Sequence, residues 1–323
     1  MSTDLPVHWL SLGGTLQAQG HDPLDVDRYW RTGRSLAPEE VLAPVRSLVG
    51  PVTVEAVTTR PSHDLTPDDL LALVRRLRAL DPAAMTGAVL TLGSNGLEEV
   101  AFLAWLLGAP VPIAVTASMR PPTAIGSDAL PNLVDAVTVA RSAGVREHGV
   151  VVVSDGAVLH PAETMKSHSS RVDSFRSSAT PLGEVHARTP RWLRPARPGP
   201  LRDAPVPATL APVEIVTTYL GADGAAVRSA VERGARAVVS AGTGAGFPTS
   251  AERQALEDAA AAGVVVCQAQ RTPYGSVAAT AGALLCAREL TPQKTRLLLS
   301  AALAAEQPPG AEALQRLLDD ASR

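Results

Sequence analysis

A chain of 323 residues with 46% hydrophobic and 19% charged residues has enough apolar material for ordinary cores and, by length, fits two domains of usual size. With 29 Lys and Arg against 32 Asp and Glu its formal net charge is -3, which gives no basis for nucleic acid or an anionic membrane as partner. No run approaches the roughly 20 apolar residues of a membrane span.

The two cysteines, Cys267 and Cys286, make no metal pattern and need no oxidising compartment, and aromatics at 3% leave Ala, Leu and Val to build the cores. The N-terminus carries no basic segment followed by an apolar signal core, so a cytoplasmic protein is expected.

The first predicted strand, His8 to Leu12, empties into Gly13-Gly14-Thr15, where glycine tolerates the φ values that bring Thr15 Oγ1 out over the carboxyl end of a sheet. Tyr29 and Trp30 follow, just before Gly33. Ser62-His63-Asp64 precedes a helix from Pro67 to Leu80, and Ser62 and Asp64 also read as plain turn formers. A strand over Ala88 to Leu92 runs into Gly93-Ser94-Asn95-Gly96, then a helix from Leu97 to Leu107 whose Glu98 and Glu99 suit the positive end of its dipole.

Next come Pro112 to Val115 and Thr116-Ala117-Ser118-Met119-Arg120-Pro121-Pro122-Thr123, Ser127-Asp128, and a helix from Asn132 to Ser142. Gly149 to Ser154 leads on to Thr164-Met165-Lys166-Ser167-His168 and Asp173-Ser174-Phe175-Arg176-Ser177.

This alternation predicts an α/β fold with a doubly wound, parallel-type sheet over residues 1–188. Residues 189–212, with Arg194-Pro195-Ala196-Arg197-Pro198-Gly199-Pro200, read as an extended, solvated linker. A smaller α/β domain over 213–323 has strands near Val213 to Thr217, Ala237 to Ser240 and Val264 to Val266. Its helices lie between Gly224 and Gly234 and between Thr249 and Ala262, and a last one, Gly310 to Ala321, carries Leu314, Leu317 and Leu318 for packing.

The four blocks around Thr15, Ser94, Ala117 to Thr123 and Lys166 to Ser177, in this order, resemble the bacterial L-asparaginase and glutaminase family from about Trp9 to Leu299. The Ala-x-Met-Arg-Pro-Pro-Thr and Lys-x-His…Asp-x-Phe-Arg-Ser stretches are its most specific parts. Amide hydrolysis needs a nucleophile, a base, a proton donor for the leaving nitrogen and donors facing the oxyanion.

The resemblance implies that Thr15 is the nucleophile forming an acyl-enzyme and that Ser94 with Lys166 relays protons or activates water. It implies that amides around Gly93 to Asn95 face the oxyanion, and that a lid tyrosine closes the site; Tyr29 is the candidate, with Trp30 as the alternative aromatic. Ser62 and His63 fall at the carboxylate-binding position, Ser118 with the substrate-binding group, and His168 reads as a structural histidine. No metal or cofactor is implied, the substrate is a small amide, and a homo-oligomer, dimer or tetramer, is expected.

The departures concern one substrate group. Where the family reads His-Gly-Thr-Asp-Thr this chain has Leu92-Gly93-Ser94-Asn95-Gly96, so the carboxylate that would pair with the lysine and grip the α-ammonium is a carboxamide. The family's further ammonium contacts come from a neighbouring subunit, an asparagine and a glutamate shortly after it; here Ala245 stands at the first, and Ser276 to Leu285 contains no acidic residue in a segment shortened after Tyr274. An ammonium left unpaired in a closed site costs several kcal/mol. The expectation is an amidohydrolase acting on a carboxamide whose α-nitrogen is absent, acylated or in a peptide. The alternatives are an ordinary asparaginase with a rebuilt ammonium site and a non-enzymatic small-molecule-binding descendant. Loss of the Asp also predicts a lowered Lys166 pKa.

Overall fold

Strands with apolar side chains on both faces need cover on both sides, and three such strands lie among five parallel strands at the centre of the first half of the chain. In the computed structural model, which describes residues 5–57, 60–277 and 284–322, these are β1 (Val7–Ser11), β2 (Val52–Ala56), β3 (Gly87–Thr91), β4 (Ile113–Thr116) and β5 (Val150–Ser154). They pair parallel in the order β2-β1-β3-β4-β5, and every residue of β3, β4 and β5 is buried.

Beyond β5 come β6 (Ala157–Leu159), a separate antiparallel ribbon of β7 (Thr164–Lys166) and β8 (Phe175–Ser177), then β9 (Gly183–His186) and β10 (Thr189–Trp192). Strands β6, β9 and β10 extend the large sheet antiparallel, making eight strands in all.

The helices of this unit are α1 (Pro38–Leu42), α2 (Arg46–Val49), α3 (Pro67–Arg78), α4 (Leu97–Leu107) and α5 (Ala129–Arg141). Helix α3 starts at a capping box, Thr66 accepting from the Asp69 amide while the Asp69 carboxylate accepts from the Thr66 amide, with Pro67 at the first position. Its Leu70, Leu71, Leu73, Val74 and Leu77 are buried. Helix α4 has nine buried apolar residues and stops at Gly108, φ 72. Helix α5 sets Leu133, Ala136, Val137 and Ala140 into one core with Val89, Ala114 and Val151 of the sheet. Each fully buried Val or Leu there contributes about 1.5–3 kcal/mol.

The order β2-β1-β3 carries the functional consequence. The chain leaves β1 for one neighbour and returns to the other, so the carboxyl ends of β1 and β3 border a topological switch point, where doubly wound sheets open a crevice. Thr15 follows β1 and Ser94 follows β3.

The domain boundary differs from the expected one. The first unit runs to Arg202 and the second from Asp203, so residues 189–202 are part of the first rather than solvated linker. Proline did not prevent packing: β10 pairs with β9 at the sheet edge, where a missing ladder donor is tolerated. Trp192 stacks on His148 at 3.9 Å between ring centroids, Trp105 of α4 donates to the Arg197 carbonyl, and Arg194 and Arg197 both pair with the buried Glu163.

In the second unit β11 (Val213–Thr217), β12 (Ala237–Gly242), β13 (Val265–Gln270) and β14 (Leu285–Cys286) form a parallel sheet in sequence order. Its helices are α6 (Ala225–Glu232), α7 (Ser250–Ala261), α8 (Pro292–Leu303) and α9 (Ala311–Ser322). Val227, Ala230, Ala255, Leu256 and Ala259 close its core on Val216, Val238 and Val266. Most of the segment read as shortened after Tyr274, residues 278–283, lies outside the described residues. Among the described residues no helix is long and apolar enough to cross a membrane.

Candidate active site

Two glycine turns bring the candidate hydroxyls together. Gly14 has φ 89, and a Cβ there would stand 2.5 Å from the Gly93 nitrogen, so the turn after β1 rests directly on the turn after β3. A Cβ on Gly93 would meet Ser62 Oγ at 2.4 Å, and Ser62 Oγ itself accepts from the Gly96 amide at 3.2 Å. Three loops thus interlock through positions where only hydrogen fits.

Thr15 opens a 3₁₀ turn, Thr15–Gln17, and is 8% exposed. Gln17 anchors that turn by accepting from Ser11 Oγ and donating to the Leu36 carbonyl. Thr15 Oγ1 and Tyr29 Oη lie 2.8 Å apart. Of the two aromatics the sequence left open, Tyr29 therefore contacts the candidate nucleophile, while Trp30 is 67% exposed and donates Nε1–H to the Asp27 carbonyl.

Lys166 ends β7, and its backbone amide donates to Glu98 in the first turn of α4. That bond holds the ribbon against the helix that follows Ser94. Its Nζ reaches Ser94 Oγ at 2.8 Å and Asn95 Oδ1 at 2.9 Å. Burial lowers the Lys166 pKa, as expected for an ammonium that has lost water and gained only neutral partners. A lysine donor demands the oxygen of Asn95, which turns the amide nitrogen of that side chain elsewhere. Among the described residues no hydrogen bond engages the amides of Gly93, Ser94 and Asn95, just ahead of α4.

Thr15, Tyr29, Ser62, His63, Gly93, Ser94, Asn95 and Lys166 all line one cavity of ≈ 630 Å³. Ser118 does not. Its side chain is 1% exposed, its Oγ has no hydrogen-bond partner among the described residues, and the neighbouring Met119 faces the cavity instead. His168 accepts through Nδ1 from the amides of Ser170 and Arg171, a loop-forming role.

Asp128 and Asn132 were legible only as part of a motif. The structure shows their work: Asp128 accepts from the Met119 and Arg120 amides, and Asn132 donates to the Ala117 carbonyl, fixing the loop after β4. Missed altogether were Val26, Asp27, Arg34 and Arg60, which also line the cavity. Their only signal was position, on the segments flanking Tyr29 and Ser62.

Residues 6–197 match the family model described as asparaginase, N-terminal, and residues 212–318 match the glutaminase/asparaginase C-terminal domain. The chain is 30% identical to a glutaminase-asparaginase of Pseudomonas fluorescens biotype A over 95% of this chain and 88% of that one. It is 29% identical to L-asparaginase 2 of Escherichia coli (strain K12), covering 93% and 89%. The fold matches the crystal structure of a probable cytoplasmic L-asparaginase from Campylobacter jejuni with a TM-score of 0.86 at 23% identity, covering 98% of this chain and 99% of that one.

Proposed function

The chain belongs to the asparaginase family of amidohydrolases, and on that premise we propose that it hydrolyses a carboxamide lacking a free α-ammonium through an acyl-enzyme on Thr15. In this reading Thr15 Oγ1 attacks the carboxamide carbon as its proton passes to the Tyr29 hydroxyl oxygen, 2.8 Å away, while the Tyr29 hydroxyl hands its own proton on towards the leaving nitrogen. The developing oxyanion meets the amides at the Gly93 to Asn95 turn. The leaving nitrogen takes a proton and departs as ammonia or amine. A water that gives its proton to the Ser94–Lys166 pair then attacks the ester, releasing the carboxylate and restoring Thr15. A lowered Lys166 pKa favours the neutral amine this step needs.

The observation that carries the substrate assignment is the Lys166–Asn95 contact of 2.9 Å. Asn95 spends its acceptor on the lysine and has no charge left for an ammonium. With Ala245 at the second contact position, which the family supplies from a neighbouring subunit, an α-ammonium loses its partners, at a cost of several kcal/mol or on the order of a thousandfold in binding.

A second reading rests on Asp27, the one carboxylate lining the cavity among the described residues. If it receives the ammonium, free asparagine is the substrate. The homo-oligomer and the cytoplasmic location expected from the sequence stay part of the proposal.

The test measures ammonia release from asparagine, glutamine, N-acetylasparagine, succinamic acid and an asparaginyl dipeptide, with the protein and its Thr15→Ala variant. Turnover of the blocked or deaminated amides above asparagine, abolished in the variant, is expected. Strong asparagine turnover that falls in Asp27→Asn supports the second reading instead.

A further inference from the structure

Among the described residues the first unit exposes six large hydrophobic side chains, and four of them, Leu24, Val26, Trp30 and Ile125, lie on the segment covering Thr15 or on the loop bonded to it. Exposed apolar side chains gathered beside a catalytic cavity mark a surface that meets a ligand more than chance scatter.

That segment is held in place. Gln19 N donates to the Arg34 carbonyl at 3.1 Å and Thr32 Oγ1 donates to the Gln19 carbonyl at 2.8 Å. The Asp25 carboxylate, 8% exposed, accepts from the amides of His21 and Arg28. Gly20 N donates to Thr123 Oγ1 and Ile125 N to the Pro23 carbonyl, tying the segment to the loop after β4.

Two side chains on this fixed backbone face the cavity with chemistry the reaction does not use. The Trp30 indole, 67% exposed, is oriented by its bond to the Asp27 carbonyl and by the Arg31 guanidinium, 5.0 Å from the ring centroid. Arg34, just past the left-handed Gly33 (φ 63), presents a guanidinium with no hydrogen bond or ion pair among the described residues. Arg60, the other arginine at the cavity, already pairs with Asp69 at 3.4 Å.

A cation in that position repels an α-ammonium and attracts a carboxylate, which guanidinium binds with two parallel N–H donors. Free asparagine has one carboxylate, which the Ser62–His63 side accounts for. The cavity, ≈ 630 Å³, falls in the roughly 300–1,000 Å³ range of sites for ligands well above amino-acid size.

We infer that Trp30 and Arg34 form a subsite for an acyl group on the substrate's α-nitrogen, the indole taking its methylenes and the guanidinium a carboxylate at its end. The inference rests on the reading that the α-nitrogen is blocked, and it narrows the substrate to asparagine acylated by a dicarboxylic acid. Trp30 and Arg34 are specificity-determining residues here and touch none of the reacting atoms.

The test compares kcat/KM for asparagine, N-acetylasparagine and N-succinylasparagine in the protein and in Arg34→Gln and Trp30→Ala. Arg34→Gln breaks no hydrogen bond or ion pair of that guanidinium among the described residues, and circular dichroism checks that both variants fold. The succinyl substrate is expected to exceed the acetyl one by about fivefold, the increment of one added ion pair worth about 1 kcal/mol in a partly open site. That ratio should collapse toward one in Arg34→Gln, and KM for the succinyl substrate should rise in Trp30→Ala. Equal turnover of the two acyl substrates, or a ratio that survives Arg34→Gln, overturns the subsite while leaving the blocked-amide reading intact. Asparagine turned over faster than both overturns the reading and the subsite together.

Discussion

Restoring a carboxylate beside the lysine, Asn95→Asp, probes the most consequential contact in the cavity. Lys166 Nζ lies 2.9 Å from Asn95 Oδ1, so an isosteric carboxylate would stand in direct contact with it. Two unit charges about 4 Å apart attract by roughly 4 kcal/mol at an effective dielectric of 20. Asn95 is exposed and Lys166 only half-buried, so solvent screening reduces this to about 1–2 kcal/mol. At roughly 1.4 kcal/mol per unit, the Lys166 pKa rises by about one. The reaction needs the neutral amine, so the acid limb of the pH profile of kcat/KM for N-acetylasparagine should move about one unit towards alkali. Turnover at pH 7 should fall several-fold. The new charge also offers one ammonium contact, so kcat/KM for free asparagine should rise on the order of tenfold. The assay is ammonia release from both amides between pH 5 and 10. An acid limb that stays in place, or asparagine turnover that does not improve, refutes the argument that Asn95 sets both the lysine and the substrate.

Tyr29→Phe removes the hydroxyl 2.8 Å from Thr15 Oγ1 and should lower kcat about a hundredfold with little change in KM, read from steady-state ammonia release. Gly14→Ala forces a Cβ to within 2.5 Å of the Gly93 nitrogen at φ 89. It should cost about 1–3 kcal/mol, seen as a lower Tm, and should suppress activity further by displacing Thr15. Burial pushes Asp135 from 3.8 up to about 6, so the folded chain keeps a proton that the unfolded chain loses across that window. Stability should therefore fall as pH rises from 4 to 7. Asp135→Asn should recover about 1 kcal/mol at pH 7 after allowing for solvent screening, visible as a smaller difference between urea midpoints at the two pH values.

Much of the first unit was legible because its signals are local. The runs Ala88 to Leu92 and Val150 to Val153 need two covered faces, and Gly14 and Gly93 mark turns that only glycine fits. Helix α4 begins and ends where Glu98 and Gly108 signal.

The boundary at 189–212 was misread because composition reports a segment's own preference. Arg194 and Arg197 are instead held by Glu163, some thirty residues upstream. Ser118 stands away from the cavity lining, since its place in a motif does not say which neighbour faces the cavity. Arg34 and Asp27 were invisible because a segment folded back over a site by hydrogen bonds at Gln19, Thr32 and Asp25 leaves no periodic trace.

The covalent step is the centre of the account. The most direct measurement is rapid acid quench of the protein turning over N-acetylasparagine, followed by peptide mass spectrometry. An N-acetylaspartyl ester on the peptide containing Thr15, absent from Thr15→Ala, is the expected result. Ammonia released with the ester on Ser94, or with the Thr15→Ala variant still active, would contradict it.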